Sequence, residues 1–108
     1  MKGFGAGGLQ KLMQQANQMQ NRMKKVQEEL NLKEFEASSG GDAVKVKITG
    51  AMKITAIQIK PDVISSGDIE MLQDLVLTAT NEAIKTAKET SEKEMSKITG
   101  GAGLPGVF

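Results

Sequence analysis

Leu9-Gln10-Lys11-Leu12-Met13-Gln14-Gln15-Ala16-Asn17-Gln18-Met19-Gln20-Asn21-Arg22-Met23-Lys24-Lys25-Val26-Gln27-Glu28-Glu29-Leu30 places its apolar residues at 9, 12, 16, 19, 23, 26 and 30. Steps that alternate between three and four over three heptads predict one long helix with a narrow apolar seam. Its remaining faces carry Gln, Asn, Lys and Arg, and the first carboxylate is Glu28. The element therefore combines a seam that asks for a partner helix with a cationic, hydrogen-bonding surface.

The rest of the 108 residues reads as one domain, 1–108, with a small core. Residues 33–39, 43–49 and 53–60 alternate in polarity. They predict a three-stranded antiparallel meander with Phe35, Ala37, Val44, Val46, Ile48, Ile57 and Ile59 on one face. Gly40-Gly41 suits a two-residue hairpin turn, which would set Ser39 opposite Asp42, Glu36 opposite Lys45, Glu34 opposite Lys47 and Phe35 opposite Val46. In that register the strand lysines form a solvated ladder with the glutamates. Ile54 is out of phase with Ile57 and Ile59, which indicates a bulge near Thr55 or Ala56, or an apolar patch on the second face of the sheet available to another subunit.

Pro61 ends the third strand, and Ser65-Ser66-Gly67-Asp68 offers N-cap candidates for a second long helix. Its core face would be Ile69, Leu72, Leu75, Val76, Ala79, Ala83 and Ala87, and its end Gly100. The fold class is thus α+β: long helix, meander, long helix. The first helix, at about 33 Å, outreaches strands of about 18 to 24 Å. The economical arrangement lays Leu9 to Met19 antiparallel against Ile84 to Ile98 as a projecting arm. One sheet face and two helices bury little, so a second subunit is expected. The glycine-rich segments 1–8 and 100–108 read as flexible tails. Residues 3 to 8 satisfy G-x-G-x-x-G, but no strand precedes them and no Lys-Ser/Thr pair follows, so the dinucleotide and P-loop readings fail.

Composition narrows the function. The chain has no Cys and no His, which removes thiolate sites, the commonest metal ligand and the commonest general base. A non-enzymatic protein with no cofactor, no metal and no small-molecule substrate is the expectation. Asp62, Asp68, Glu70 and Asp74 could hold a hard cation, but acids at a helix start are ordinary partners of its dipole. No apolar run reaches the roughly 20 residues of a membrane span, and Met1-Lys2-Gly3-Phe4-Gly5 lacks a signal-peptide core, so a cytoplasmic protein without membrane contact is expected.

The net charge of +1 conceals blocks of alternating sign. Residues 1–27 hold Lys2, Lys11, Arg22, Lys24 and Lys25 with no acid, whereas residues 61–84 hold five acids and no base. An anion must therefore be met by a local patch. On the first helix Lys11, Gln18, Lys25, Gln14, Asn21, Gln15 and Arg22 share one stripe free of carboxylates. Lys and Arg supply charge, and the amides donate hydrogen bonds, as a phosphate-contact surface requires. A solvated polar face would carry the same residues. Asn81, Lys85 and Lys88 extend the idea onto the second helix, diluted by Glu82, Glu89 and Glu92.

With no Trp or Tyr, Phe4 and Phe108 near the ends and Phe35 in the core, there is no stacking platform for unpaired bases. Duplex DNA with weak sequence preference fits better. The rival is a helical-arm adaptor or chaperone-like clamp that grips a protein through the methionine seam. Most of the methionines, however, sit at packing positions.

In this order the chain resembles the YbaB/EbfC family of bacterial nucleoid-associated proteins. The matching stretches are residues 9–20, Met23-Lys24-Lys25-Val26-Gln27-Glu28-Glu29-Leu30 and Val44-Lys45-Val46-Lys47-Ile48-Thr49-Gly50. Asp68-Ile69-Glu70-Met71-Leu72-Gln73-Asp74-Leu75-Val76, Ala79-Thr80-Asn81-Glu82-Ala83 and the Leu104-Pro105-Gly106-Val107-Phe108 ending complete the likeness. The resemblance implies a tweezer-shaped homodimer that binds duplex DNA through projecting helices in the bacterial cytoplasm. The candidate DNA contacts are Lys11, Gln18, Arg22 and Lys25, followed by Asn81, Lys85 and Lys88.

Overall fold

The computed structural model describes residues 6–99. The elements are α1 (Ala6–Leu32), β1 (Glu34–Ser39), β2 (Val44–Thr49), β3 (Ile54–Ile59), a short α2 (Pro61–Ser65) and α3 (Ile69–Thr99). The strands form one antiparallel sheet in the order β1-β2-β3, the meander expected from the alternation. α1 begins at Ala6, so residues 6–8, assigned above to a flexible lead-in, are helical. The rest of both expected tails lies outside the described residues.

The core is a two-layer contact between α3 and the sheet. Val44, Val46 and Ile48 of β2 are fully buried beneath Ala79, Ala83 and Ala87 of α3. Alanine at every fourth position lets the helix axis approach the sheet closely, and larger Leu72, Leu75 and Val76 fill the margin beside Phe35, Ala37 and Ile59. α3 lies over β1 and β2, and β3 extends beyond it. Two residues expected in the core consequently lie open: Ile57 is 47% exposed, and Ile69, at the first turn of α3, is 67% exposed.

The hairpin register differs from the expected one by two residues. Phe35 pairs with Ile48, Glu36 with Lys47, Ser38 with Lys45 and Ser39 with Val44. The cause is the turn. Gly40, Gly41 and Asp42 take φ of 59, 62 and 70°, three left-handed residues in a row where a two-residue turn needs two. The Ser38 hydroxyl donates to Asp42 Oδ1 at 2.8 Å, and Ala43 N–H donates to the Gly40 carbonyl at 3.3 Å, so the loop spans 40–43. A slip of two preserves every side chain's face, which is why the apolar pattern could not detect it. Of the expected charge pairs, Glu36 now meets Lys47 in place of Lys45, and Glu34 meets Thr49 in place of Lys47.

The bulge is where the phase of Ile54 indicated. Lys47 pairs with Ala56 and Ile48 with Ile54, leaving Thr55 as the extra residue. Its hydroxyl donates to Glu34 Oε2 at 3.0 Å, across the sheet.

Asp68 is the N-cap of α3, its Oδ1 accepting from Met71 N–H at 3.0 Å. Asp68→Ala removes this acceptor and is expected to cost about 1 kcal/mol. Urea denaturation should show the midpoint falling with an unchanged slope.

The molecule is long, 76 × 24 × 16 Å, with a radius of gyration of 21.3 Å against roughly 13 Å for a compact chain of this length. The length comes from α1 and α3, about 40 and 46 Å at ~1.5 Å per residue. Their contact lies closer to the sheet end of α1 than the arm arrangement proposed. Val26, Glu29, Leu30 and Lys33 share a cleft with Glu94, Lys97 and Ile98. Leu9, Leu12 and Met13 are 57, 52 and 59% exposed, so the first half of α1 does not pack along residues 84–98 of the same chain. Leu30 and Gly50 are buried where α1 meets the β2–β3 turn, and this junction anchors the helix instead.

Candidate nucleic-acid interface

α1 leaves the sheet at a defined angle because its last turn is tied on two sides. Lys33 N–H donates to the carbonyls of Glu29 and Leu30, and the Lys33 carbonyl accepts from Gly50 N–H at 3.0 Å. Leu30 is 4% exposed. The Gln27 amide donates to Asn31 Oδ1 at 2.8 Å along the same stretch. From this anchor the seam residues Val26, Met23 and Met19 are half-buried, and the polar face beside the seam projects into solvent.

Lys11, Gln18, Arg22 and Lys25 all lie on that exposed face. Lys11, Gln18 and Lys25 are spaced by seven residues, within about 20° of one another per heptad, and Arg22 lies one turn from both Gln18 and Lys25. The stripe covers about 21 Å of helix at ~1.5 Å per residue. Lys24 is equally exposed. Its heptad position put it outside the stripe, about 60° from the position of Asn21 on the helical wheel, and its place in the acid-free run was the available signal. From Ala6 to Gln27 α1 has no carboxylate, and its first turn has no acid. Its surface is therefore positive along that length.

Asn81, Lys85 and Lys88 are exposed on α3, on the side turned away from Ala79, Ala83 and Ala87. They are not brought together with the α1 stripe. α1 meets α3 around Glu94 to Ile98, and Lys88 lies six residues, about 9 Å of helix, before the start of that contact. The two groups are separate patches, and the second is interleaved with Glu82, Glu89 and Glu92.

Among the described residues, one ion pair bears on this region. Lys97 Nζ lies 3.0 Å from Glu94 Oε2. The hydrogen bond from Lys97, then its charge, holds the Glu94 carboxyl below the usual range. Lys33 stands on the same cleft, 5.6 Å above the Phe35 ring centroid. The junction of the two helices is thus close to neutral, and free positive charge begins further out on α1. Among the described residues there is no group of three potential metal ligands and no helix long and apolar enough to cross a membrane. The acids Asp68, Glu70 and Asp74 line an open cleft of about 410 Å³ together with Ser39 and Leu75, and Asp68 is committed to capping.

Residues 5–102 match the model of the YbaB/EbfC DNA-binding family. A nucleoid-associated protein of Clostridium novyi is 53% identical over 107 residues, covering 98% of this chain and 94% of its own. One from Acetivibrio thermocellus is also 53% identical with the same coverage, and one from Clostridium kluyveri is 48% identical over 97% of this chain and 93% of its own. In fold, the chain is similar to the crystal structure of an uncharacterized protein from Helicobacter pylori. That match has a TM-score of 0.68 at 20% identity, over 86% of this chain and 95% of the other. The helix, meander and helix, the acid-free arm and a family match over nearly the whole length agree, and this chain belongs to the YbaB/EbfC DNA-binding family.

Proposed function

We propose that this chain is a non-enzymatic nucleoid-associated protein of the bacterial cytoplasm. It would bind duplex DNA as a homodimer, with low sequence specificity and with effects on nucleoid organisation and gene expression. The observation that carries this reading is the exposed face of α1, where Lys11, Gln18, Arg22 and Lys25 stand on a projecting helix with no acid before Glu28. Cations and amide donors without competing carboxylates suit phosphate oxygens, and contacts to phosphate carry no base information. Asn81, Lys85 and Lys88 form a weaker, secondary patch because acids surround them. The names of the relatives, nucleoid-associated proteins in each case, support the same partner and compartment.

The exposed Leu9, Leu12 and Met13 favour a second reading, an adaptor that grips a protein through the seam of α1. Fluorescence anisotropy with a labelled duplex of about 30 base pairs, across a salt series and against random competitor, separates the two. DNA binding predicts a saturable signal whose log affinity falls by about 0.9 per phosphate contact for each log unit of salt. No binding at low salt, together with a co-purifying protein, would favour the adaptor.

A further inference from the structure

Building on the duplex-binding reading above, we infer that the open face of the sheet is a second contact surface for duplex phosphates. It is centred on Lys45, Lys47 and Lys60, and it takes a DNA segment other than the one held by α1. α3 covers the face of the sheet that carries Val44, Val46 and Ile48. Alternation along β2 sends Lys45 and Lys47 to the opposite face, where both are half-buried. Gln58 is the partner of Lys45 on β3 and is exposed. Lys60 follows two residues later on the same face, its N–H donating to the Ala43 carbonyl at 2.9 Å. Lys45, Gln58 and Lys60 line one shallow cleft of about 240 Å³. Along the strand direction Lys47, Lys45 and Lys60 step by about 7 Å, which makes a cationic row of about 14 Å.

The hairpin register is what frees these cations. The expected ladder set Lys45 against Glu36 and Lys47 against Glu34. The observed register sets Lys45 between Ser38 and Gln58, and only Lys47 keeps a glutamate, Glu36, opposite it. Among the described residues the one ion pair is Lys97 with Glu94, so none of the three lysines has a carboxylate within ion-pair distance. Two of the nearby acids are turned to other partners: Glu34 Oε2 accepts from the Thr55 hydroxyl at 3.0 Å, and Asp42 Oδ1, beside the cleft, accepts from Ser38 at 2.8 Å. From Ala43 to Lys60 the chain holds four lysines and no acid. Lysine often stands on edge strands to block edge-to-edge pairing, but Lys45 and Lys47 are on the central strand and shield no edge. A row of cations with a neutral amide donor beside it complements the regular negative charge of a duplex backbone. α1 meets α3 at Glu94 to Ile98, in the helix layer, whereas the lysine row is on the far side of the sheet. The two surfaces face apart and so address separate segments.

The test is a capture assay with the full chain, in which duplex DNA on beads is saturated with protein and the retention of a second, fluorescent duplex is measured. The unaltered protein should retain it. The variant Lys45→Gln/Lys47→Gln/Lys60→Gln should retain roughly tenfold less at ~0.1 M salt, since three phosphate contacts each contribute a slope of about 0.9. Its affinity for a single duplex by anisotropy should change by less than about twofold, because the contacts of α1 are intact. Acetylation of the unaltered protein with and without excess duplex needs no variant and covers the case in which the triple variant fails to fold. Lys45, Lys47 and Lys60 should become protected together with Lys11 and Lys25. Retention unchanged in the folded triple variant, or lysines 45 and 60 equally reactive with excess duplex, overturns the assignment. An equal loss of single-duplex binding in the triple variant makes the row part of the α1 interface and overturns its separateness. An unaltered chain that binds the first duplex and retains no second one overturns the sheet surface alone and leaves the α1 reading standing. A chain that binds no duplex at all overturns the DNA-binding reading, and the sheet surface with it.

Discussion

Gly50→Ala is expected to destabilise the protein by roughly 2 to 4 kcal/mol. The melting temperature should fall by roughly 8 to 30 °C, at about 4 to 8 °C per kcal/mol for a domain of this size. Gly50 follows β2 and is buried against the last turn of α1. A Cβ built there would overlap the Leu30 carbonyl oxygen and approach the carbonyl carbon to 2.6 Å. Both are backbone atoms and cannot move by changing a rotamer. Relief would require shifting α1 away from the β2–β3 turn, which would loosen the bond from Gly50 N–H to the Lys33 carbonyl and the burial of Leu30. Gly41→Ala is the matched control. It has a left-handed φ of 62° but nothing within 4 Å, so it should cost only about 1 kcal/mol of backbone strain. Thermal melts of the two variants side by side decide the matter. Equal losses would mean that α1 is not held by this close approach.

That junction shows what the sequence could and could not convey. The heptad spacing from Leu9 to Leu30 reports a helix and a seam, because side-chain periodicity is a property of the chain itself. The alternation in residues 33–60 likewise reports three strands and the face of each residue. The phase of Ile54 even locates the bulge at Thr55. A hairpin register is different, since slips of two residues leave the faces intact. It was decided by Asp42 joining two glycines in left-handed backbone, held by Ser38. No period encodes that.

The placement of one element over another was also only partly legible. The Ala79, Ala83 and Ala87 face of α3 was read correctly, but which strands it would cover depends on where the helix lands. It lands on β1 and β2, so Ile57 and Ile69, apolar and in phase, are exposed all the same. The same limit applied to α1. Its seam asks for a partner over its whole length, yet among the described residues it is best covered toward its sheet end, near Val26 to Lys33, while Leu9, Leu12 and Met13 stay exposed. The candidate DNA-contacting residues were legible as a charge pattern, and the structure adds that Lys11, Gln18, Arg22 and Lys25 share an exposed face while Asn81, Lys85 and Lys88 occupy a separate one.

If α1 is the arm that meets DNA, reversing charge at Lys11 and Lys25 should weaken duplex binding on the order of a hundredfold at ~0.1 M salt. Each phosphate contact contributes a slope of about 0.9, or roughly eightfold in affinity between 1 M and 0.1 M salt. Losing two contacts accounts for about sixtyfold on that slope, and two new carboxylates facing phosphate add repulsion. In the series of Lys11→Glu, Lys25→Glu and the double variant, the salt dependence should flatten stepwise. The loss should be alike for unrelated duplex sequences, because phosphate contacts are sequence-blind. Both side chains are exposed, about 21 Å apart along α1 at ~1.5 Å per residue and away from Leu30 and Gly50, so melting temperature and sedimentation mass should stay unchanged. Neutralising Lys85 and Lys88 should do less, since Glu82, Glu89 and Glu92 already dilute the potential there. Unaltered affinity in the α1 double variant, with a large loss in the α3 one, would place the interface on α3 and leave the acid-free face of α1 merely solvated.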